Sequence, residues 1–250
     1  MTAPLIEYVL RIGDSALILA QRLGAYVAHA PSMEEDVAVA NVALDLLGQA
    51  RALLTYAAEL EGDGRDEDDL AYLRRTHEFR NVLLVEQPNG DFAQIQLRQF
   101  LYDAYALELW RQLSASSDAT LAAVAGKAVK ETSYHVRRSM DWVIRLGDGT
   151  EESARRLRQA LGNLWMFTGE LFLTDSVDDA MAETGVAPPA STLESAWRRR
   201  VTGVFGQAQL AVPDNGWPQR GGKTGRHTEH LDYILAEMQV LPRTYPGARW

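Results

Sequence analysis

The sequence predicts an all-α protein, a long four-helix bundle with additional C-terminal helices. Three observations lead to this fold class. Apolar residues recur at steps of three and four along almost the whole chain, which is the helical period. Four of these stretches are about 20–30 residues long and have two-sided apolar faces, as the helices of an up-down bundle do. The alternation of apolar and polar residues that marks strands is nearly absent.

The first two helices are separated by a proline. The first carries an apolar stripe of Leu5, Tyr8, Ile12, Ala16, Leu19, Leu23 and Tyr26. Pro31 then interrupts the pattern, and Ser32 with Glu35 forms an S-x-x-E capping box that opens the second helix. This helix is predicted to run to about Glu61, where the polar stretch GDGRDEDD ends it.

The third and fourth helices follow an irregular connection. A short helix is expected between residues 70 and 85, and EQPNGD (86–91) has the composition of a turn. The third helix is predicted from Phe92 to Leu113, and SASSDA separates it from the fourth. The stripe of the fourth helix, which GDGT ends, consists of Leu121, Ala125, Ala128, Thr132, His135, Ser139, Trp142 and Leu146.

Beyond residue 150 at least three more helices are predicted, at roughly 151–174, 191–210 and 228–241. Ser191 and Glu194 form another possible capping box, and AETGVAPPAS (182–191) is predicted to be a loop. We expect one domain over residues 1–250, with its core bundle at about 5–147 and the C-terminal helices at about 151–241.

The composition narrows the classes of function. The net charge is −9, which argues against a nucleic-acid partner because a phosphate backbone attracts cationic surfaces. The chain has no cysteine, which excludes disulfides, thiolate metal sites and a cysteine nucleophile. The N-terminal segment carries charges at helical intervals, so we interpret it as a folded helix and not as a signal peptide. No run of about 18 apolar residues was found, so no membrane span is expected.

The stretch KETSYH (130–135) resembles half of a di-iron site. Four-helix bundles that bind two irons use Glu-x-x-His on two helices, because residues three apart share a helix face. The histidines of this chain are His29, His77, His135, His227 and His230. The residues three positions before them are Tyr26, Arg74, Thr132, Thr224 and His227. The sequence therefore contains no Glu-x-x-His.

Four polar residues remain as candidates for a vestigial cluster. They are Asp45, Asp103, Glu131 and His135. One interpretation is a weak or mononuclear metal site. The other, which we favour, is a buried polar cluster in which His135 is hydrogen-bonded to a carboxylate, because buried charges without partners are costly. We therefore predict no catalytic, cofactor-binding or metal-binding residue in this chain.

The C-terminal stretch GGKTGRHTEH (221–230) allows three interpretations. Its glycines and basic residues could hold a phosphate, for instance that of a coenzyme. His227 and His230 could bind a metal. The third possibility is a loop and helix cap that pack on the bundle or on a partner subunit. LWMFTGELF (164–172) is interpreted as core or interface.

Several long strings resemble one known family. RIGDSALILAQRLGAYVAHAP, LDLLGQAR, LLVEQPNGDFA, VKETSYH and HTEHL followed by LAEMQ are similar to the C subunits of the phenylacetyl-CoA epoxidase complexes of aerobic bacterial phenylacetate degradation. The resemblance runs from about residue 5 to the C-terminus. It implies a ferritin-like fold and a structural subunit without metal. The catalytic partner's motif is similar to KETSYH but has glutamate where Thr132 stands.

The resemblance also implies partners. A homologous A subunit would carry the di-iron centre and bind the CoA thioester, and a small B subunit and a reductase would complete the enzyme. The complex would epoxidise the aromatic ring with O₂ and electrons from NADPH. This chain would then have no activity alone and would be cytoplasmic, with a homodimer possible when isolated. The alternative is an independent metal-dependent oxygenase with a degenerate ligand set.

Overall fold

The structure is a computed structural model that describes residues 2–214 and 218–248. Within these residues it contains eleven α-helices and no strand, so the all-α prediction is confirmed. The long helices are α1 (Thr2–Gly24), α2 (Met33–Glu61), α5 (Phe92–Leu113) and α6 (Ala119–Gly147). The shorter ones are α3 (Glu67–Tyr72), α4 (Leu83–Glu86), α7 (Glu151–Leu164), α8 (Ser176–Glu183), α9 (Ala190–Gln207), α10 (Glu229–Met238) and α11 (Val240–Thr244).

The chain divides into two compact units, each built on one pair of long helices. The first unit contains residues 1–88 and 220–250, and the second contains residues 89–219. The first unit is thus discontinuous in sequence. This division into compact units does not test whether the chain forms one domain, so the single domain stays a prediction.

In the first unit α1 and α2 form an antiparallel pair. A Cβ atom on Gly13 would lie 3.2 Å from Leu53 Cβ, so the glycine allows the two helices to approach closely. The Ser32 half of the predicted capping box is present, because Ser32 Oγ accepts a hydrogen bond from the Glu35 N–H at 3.4 Å. At the other end Gly62 adopts the left-handed conformation, with φ of 66°, which ends α2.

A buried ion pair fixes the connection after α3 to α1. Arg74 donates two hydrogen bonds to Asp14, one of them 3.0 Å long, and the Arg80 N–H donates another at 2.8 Å. The Asp14 and Arg74 side chains are almost completely buried. This carboxylate therefore has three donors, which offset the cost of removing it from water.

Helix α2 contains a strongly apolar stretch. An 18-residue window within it has a mean hydropathy of 1.4, which by length and composition would allow it to cross a membrane. The expectation that no segment spans a membrane stays a prediction, because this criterion considers length and composition alone. The inner side of α2 packs on α1, and a helix in the core of a water-soluble protein meets the same criterion.

In the second unit α5 and α6 form an antiparallel pair, and α7 and α9 pack on it. Trp197 on α9 donates a hydrogen bond from Nε1 to the Leu101 carbonyl at 2.9 Å, which attaches α9 to α5. Its ring also contacts those of Trp165 and Phe172. Asp91 caps α5 by accepting from the Gln94 N–H at 3.0 Å.

Two predictions for the C-terminal half were wrong. The helix predicted over 151–174 ends at Leu164 and is followed by two short 3-10 helices that extend to Phe172. The predicted cap at Ser191 is also incorrect, because α9 begins at Ala190 after Pro189 and no side chain caps it. Proline fixes φ and suits this position without a cap.

Candidate functional site

The structure places Asp103 and His135 together in the interior of the second unit. Asp103 lies on α5 and His135 on α6, and each is only 1% exposed. The two side chains are close enough for the charge of His135 to act on the carboxyl group. The predicted hydrogen bond between His135 and a carboxylate stays a prediction, and hydrogen bonds to Asp103 come from other residues.

Two neutral side chains provide these hydrogen bonds. Gln99, one turn before Asp103 on α5, donates from Nε2 to Oδ1 at 2.7 Å. Ser139, one turn after His135 on α6, lies with its hydroxyl 3.2 Å from Oδ2. Both residues are buried, and both lie on otherwise apolar stripes of the sequence, which was the signal that could have identified them.

The Ser139 hydroxyl has one proton and several neighbours that can accept it. It lies 2.8 Å from the carbonyl oxygen of His135 and 3.2 Å from Asp103 Oδ2. An ionised Asp103 competes with the carbonyl for this proton, whereas a protonated Asp103 can donate to the Ser139 hydroxyl instead.

Burial raises the pKa of Asp103 from its ordinary value of 3.8 to about 6. The nearby charge of His135 and the hydrogen bonds from Gln99 and Ser139 lower it, but they do not cancel the effect of burial. The Asp103 carboxyl group therefore changes from its protonated to its ionised form at a pH only slightly below neutral.

The other two candidates are less buried than the cluster of Gln99, Asp103, His135 and Ser139. Glu131 is half-buried and forms an ion pair with Lys127, one turn earlier on α6, at 3.5 Å. Asp45 lies on α2 in the first unit and is also half-buried. We refer to the four residues on α5 and α6 as the Asp103 cluster.

The residues present do not fit a di-iron centre. Among residues 2–214 and 218–248 no group of three or more histidine, aspartate and glutamate side chains is arranged to hold a metal ion. The groups that act on the Asp103 carboxyl are an amide, a hydroxyl, one imidazole and the Arg138 guanidinium, whereas a di-iron site needs four carboxylates and two imidazoles. Thr132, which is 2% exposed, occupies the position at which Glu-x-x-His would require an acid.

The glycines of the segment 221–230 make close backbone contacts in the first unit. A Cβ atom on Gly222 would lie 2.2 Å from the Asn81 carbonyl oxygen. Gly225, with φ of +78°, lies equally close to the carbonyl oxygen of His77. These contacts explain the glycines without a phosphate, and they favour the interpretation of this segment as a docking loop.

His227 attaches the same segment to the buried Glu86. Its Nδ1 lies 2.8 Å from Glu86 Oε2, and its Nε2 lies 3.0 Å from the carbonyl oxygen of Phe79. The N–H and hydroxyl of Thr228 both donate to Glu86 Oε1, at 2.7 and 2.8 Å. Because both ring nitrogens of His227 are engaged, the imidazole could bind a metal only by giving up one of these contacts.

The second unit also has a cavity of about 660 Å³ between α7 and α9. Trp165, Phe172 and Trp197 form its apolar side, and the ion pair of Arg198 with Glu194 lies at its edge. The stretch 164–172 thus contributes to the core through Trp165 and Leu171, in agreement with its interpretation.

Comparison with known proteins identifies the family of this chain. A family model described as "Phenylacetic acid catabolic protein" matches residues 1–250. The chain is 50% identical over 246 residues to the C subunit of the 1,2-phenylacetyl-CoA epoxidase of Escherichia coli (strain K12). The match covers 98% of this chain and 99% of that protein. The chain therefore belongs to the phenylacetic acid catabolic protein family, and its all-α fold is the ferritin-like one that the sequence predicted.

Proposed function

We propose that this chain is the non-catalytic C subunit of a 1,2-phenylacetyl-CoA epoxidase that acts in phenylacetate catabolism. Its similarity to the Escherichia coli C subunit over nearly the full length of both chains supports this assignment. The chain pairs with a catalytic A subunit, which carries the di-iron centre. A small B subunit and a reductase complete a cytoplasmic enzyme.

The observation that carries the non-catalytic role is the missing acid before His135. Oxygen-activating di-iron bundles require two Glu-x-x-His motifs, and the sequence contains none. In place of the acid stands the buried Thr132, and the neighbouring Asp103 is held by Gln99 and Ser139. The charges of His135 and Arg138 also act on this carboxyl group.

The Asp103 cluster has a structural role in this proposal. Gln99 and Asp103 belong to α5, and His135 and Ser139 belong to α6, so the polar contacts cross the helix pair. A satisfied polar contact in an apolar interface fixes the register of the two helices, because any shift would leave the carboxyl without its donors. The chain thus provides a rigid surface on which its catalytic partner is held.

Purification of the chain with and without its partner tests this function. Co-expression with the A subunit should give a stable hetero-oligomer, with iron bound in proportion to the A subunit only. The chain purified alone without chelator should contain no stoichiometric iron and should not convert phenylacetyl-CoA.

A variant distinguishes a structural role of the cluster from a catalytic one. His135→Ala should lower the free energy of unfolding by about 1–3 kcal/mol, because it leaves a buried polar group without its partner. The assembled complex should nevertheless keep its turnover. Near-stoichiometric iron in the isolated chain, or complete loss of turnover in an intact His135→Ala complex, would favour the independent oxygenase instead. Separate elution of the two subunits at micromolar concentration would contradict the proposal.

A further inference from the structure

The outward side of α2 is an exposed apolar stripe. Met33, Val37, Leu44 and Leu47 lie on one face of the helix and are 77%, 55%, 64% and 39% exposed. The same face includes Ala40 and Gly48, which are small enough to let another helix approach closely. These six residues are called the α2 stripe below.

Such a stripe differs from the scattered apolar residues of an ordinary surface. Single exposed leucines and valines are common, but a continuous apolar helix face usually marks an interaction site. The opposite face of α2 is buried with Val39, Val42 and Leu46. A helix that is apolar on both sides is normally covered on both sides.

The charges on α2 indicate what covers it. The helix carries six acidic residues, Glu34, Glu35, Asp36, Asp45, Glu59 and Glu61, and one basic residue, Arg51, a net charge of −5. Arg51 is already paired with Glu67 at 3.2 Å. A second copy of this chain would therefore place two helices of net charge −5 against each other, and an anionic membrane surface would be repelled in the same way.

We propose that the α2 stripe is the docking surface for another helical subunit, one that presents an apolar helix flanked by lysine and arginine. This inference rests on the proposed function, because the partner is the A subunit of the epoxidase. Apolar contact along the stripe would provide affinity, and the acidic residues of α2 would favour a basic partner helix.

The absence of cysteine from the chain allows a direct test. Leu44→Cys introduces one thiol in the stripe, and Leu241→Cys on α11 introduces a matched control at a residue that is 52% exposed. Each variant is co-purified with the A subunit and treated with a maleimide, and labelling of this chain is followed by mass spectrometry. Labelling at position 44 should be at least tenfold slower in the complex than in the isolated chain. Labelling at position 241 should change less than twofold.

A second experiment tests the contribution to binding. The double variant Val37→Gln/Leu44→Gln should bind the A subunit at least tenfold more weakly, with an unchanged circular dichroism spectrum because both side chains are exposed. Leu241→Gln serves as its control and should bind normally. Higher salt should slow association of the natural chain.

The outcomes separate this inference from the proposed function. Unchanged labelling at position 44 within an intact complex would overturn the docking surface and leave the function standing. Failure of the natural chain to bind any A subunit would overturn both. Protection of position 44 in the isolated chain, together with a dimer in sedimentation, would show that a second copy is the occupant. Protection by vesicles of phosphatidylcholine and phosphatidylglycerol would show a lipid surface instead, and either result would overturn the proposed partner.

Discussion

His227 and Glu86 form a buried pair that joins the C-terminal segment to the end of α4, although 141 residues separate them in sequence. The His227 ring lies between two acceptors, the Glu86 carboxylate and the Phe79 carbonyl oxygen. Both ring nitrogens can make hydrogen bonds only if both donate. The geometry therefore selects the doubly protonated imidazolium.

This pair predicts a stability that decreases at alkaline pH. Burial lowers the pKa of His227, but the hydrogen bond and charge of Glu86 more than offset it, so the pKa is raised above 6.5. A raised pKa stabilises the fold fully below pH ~6.5, and this contribution is lost as pH rises through the folded-state value. In His227→Gln this pH dependence should disappear, and stability near pH 6 should fall by about 1–3 kcal/mol.

Urea unfolding between pH 5 and pH 9 measures this effect. The exposed His77 provides the control, because His77→Gln should leave the pH dependence of the natural chain intact. Parallel stability curves for the natural chain and His227→Gln would show that the imidazolium does not contribute.

The glycines of the docking loop give a second prediction. Gly222→Ala would place a methyl group 2.2 Å from the Asn81 carbonyl oxygen, so the loop or the residues beneath it must move. We expect a loss of about 2–4 kcal/mol of unfolding free energy, at the upper end for a single substitution. Gly126→Ala on α6 is the control, since no atom lies within 4 Å of its new methyl group. It should stabilise the protein by about 0.5–1 kcal/mol.

The same pair of variants can be compared by limited proteolysis. Gly222→Ala should expose new cleavage sites in residues 220–248, where the natural chain and Gly126→Ala resist the protease. Equal resistance of all three proteins would argue against tight packing of this loop.

Asp103 gives a third prediction, of the same sign as that for His227 but at lower pH. Its folded-state pKa of about 6 lies above its ordinary value of 3.8, so the native state binds the proton more tightly than the unfolded state does. Stability due to this group therefore falls as pH rises from about 4 to about 6, by about 3 kcal/mol in total. In Asp103→Asn that decrease should be absent, because the amide has no proton to lose.

Denaturation of Asp103→Asn and the natural chain at pH 4, 5, 6 and 7 measures the difference. The exposed Asp63 supplies a control, because Asp63→Asn should behave as the natural chain does. A constant difference in stability between Asp103→Asn and the natural chain at all four values would contradict the shifted pKa.

Thr132 gives the fourth prediction. Thr132→Glu restores the Glu-x-x-His spacing on α6, but the remaining ligands of a di-iron site are still missing. We expect no stoichiometric iron by elemental analysis. A carboxyl at this buried position should also destabilise the chain by about 2–4 kcal/mol at pH 7. Thr132→Val keeps the shape of the side chain without introducing a carboxyl and should destabilise the chain less. Iron uptake by Thr132→Glu would contradict the prediction, because it would show that this one acid completes the site.

Much of the fold follows from local signals in the sequence. The bounds of α5 were predicted from its apolar period, and Ser32 was recognised as the N-cap residue of α2. The short helix α8 was not predicted, although Asp175 and Asp178 form a reciprocal capping box there. The end of α7 at Leu164 was also missed, because the apolar stretch that follows continues the helical period while its rings pack on α9.

The candidate site was predictable only in part, for a physical reason. Asp103 and His135 stand out as polar residues on apolar stripes, and this pattern is visible in the sequence. Pairing between distant residues leaves no periodic trace, so the bonds of Asp14 to Arg74 and of Glu86 to His227 could not be predicted. Polar side chains on two helices also do not reveal which will donate and which will accept.

The discontinuity of the first unit has a consequence for biosynthesis. The second unit is one uninterrupted stretch, so all of its residues are translated before residues 220–250 are made. The first unit, in contrast, cannot bury Glu86 against His227 until that later segment has been translated. The first unit, with its apolar surfaces of α1 and α2, is therefore incomplete until this segment has been made. During this interval the nascent chain most needs protection from aggregation.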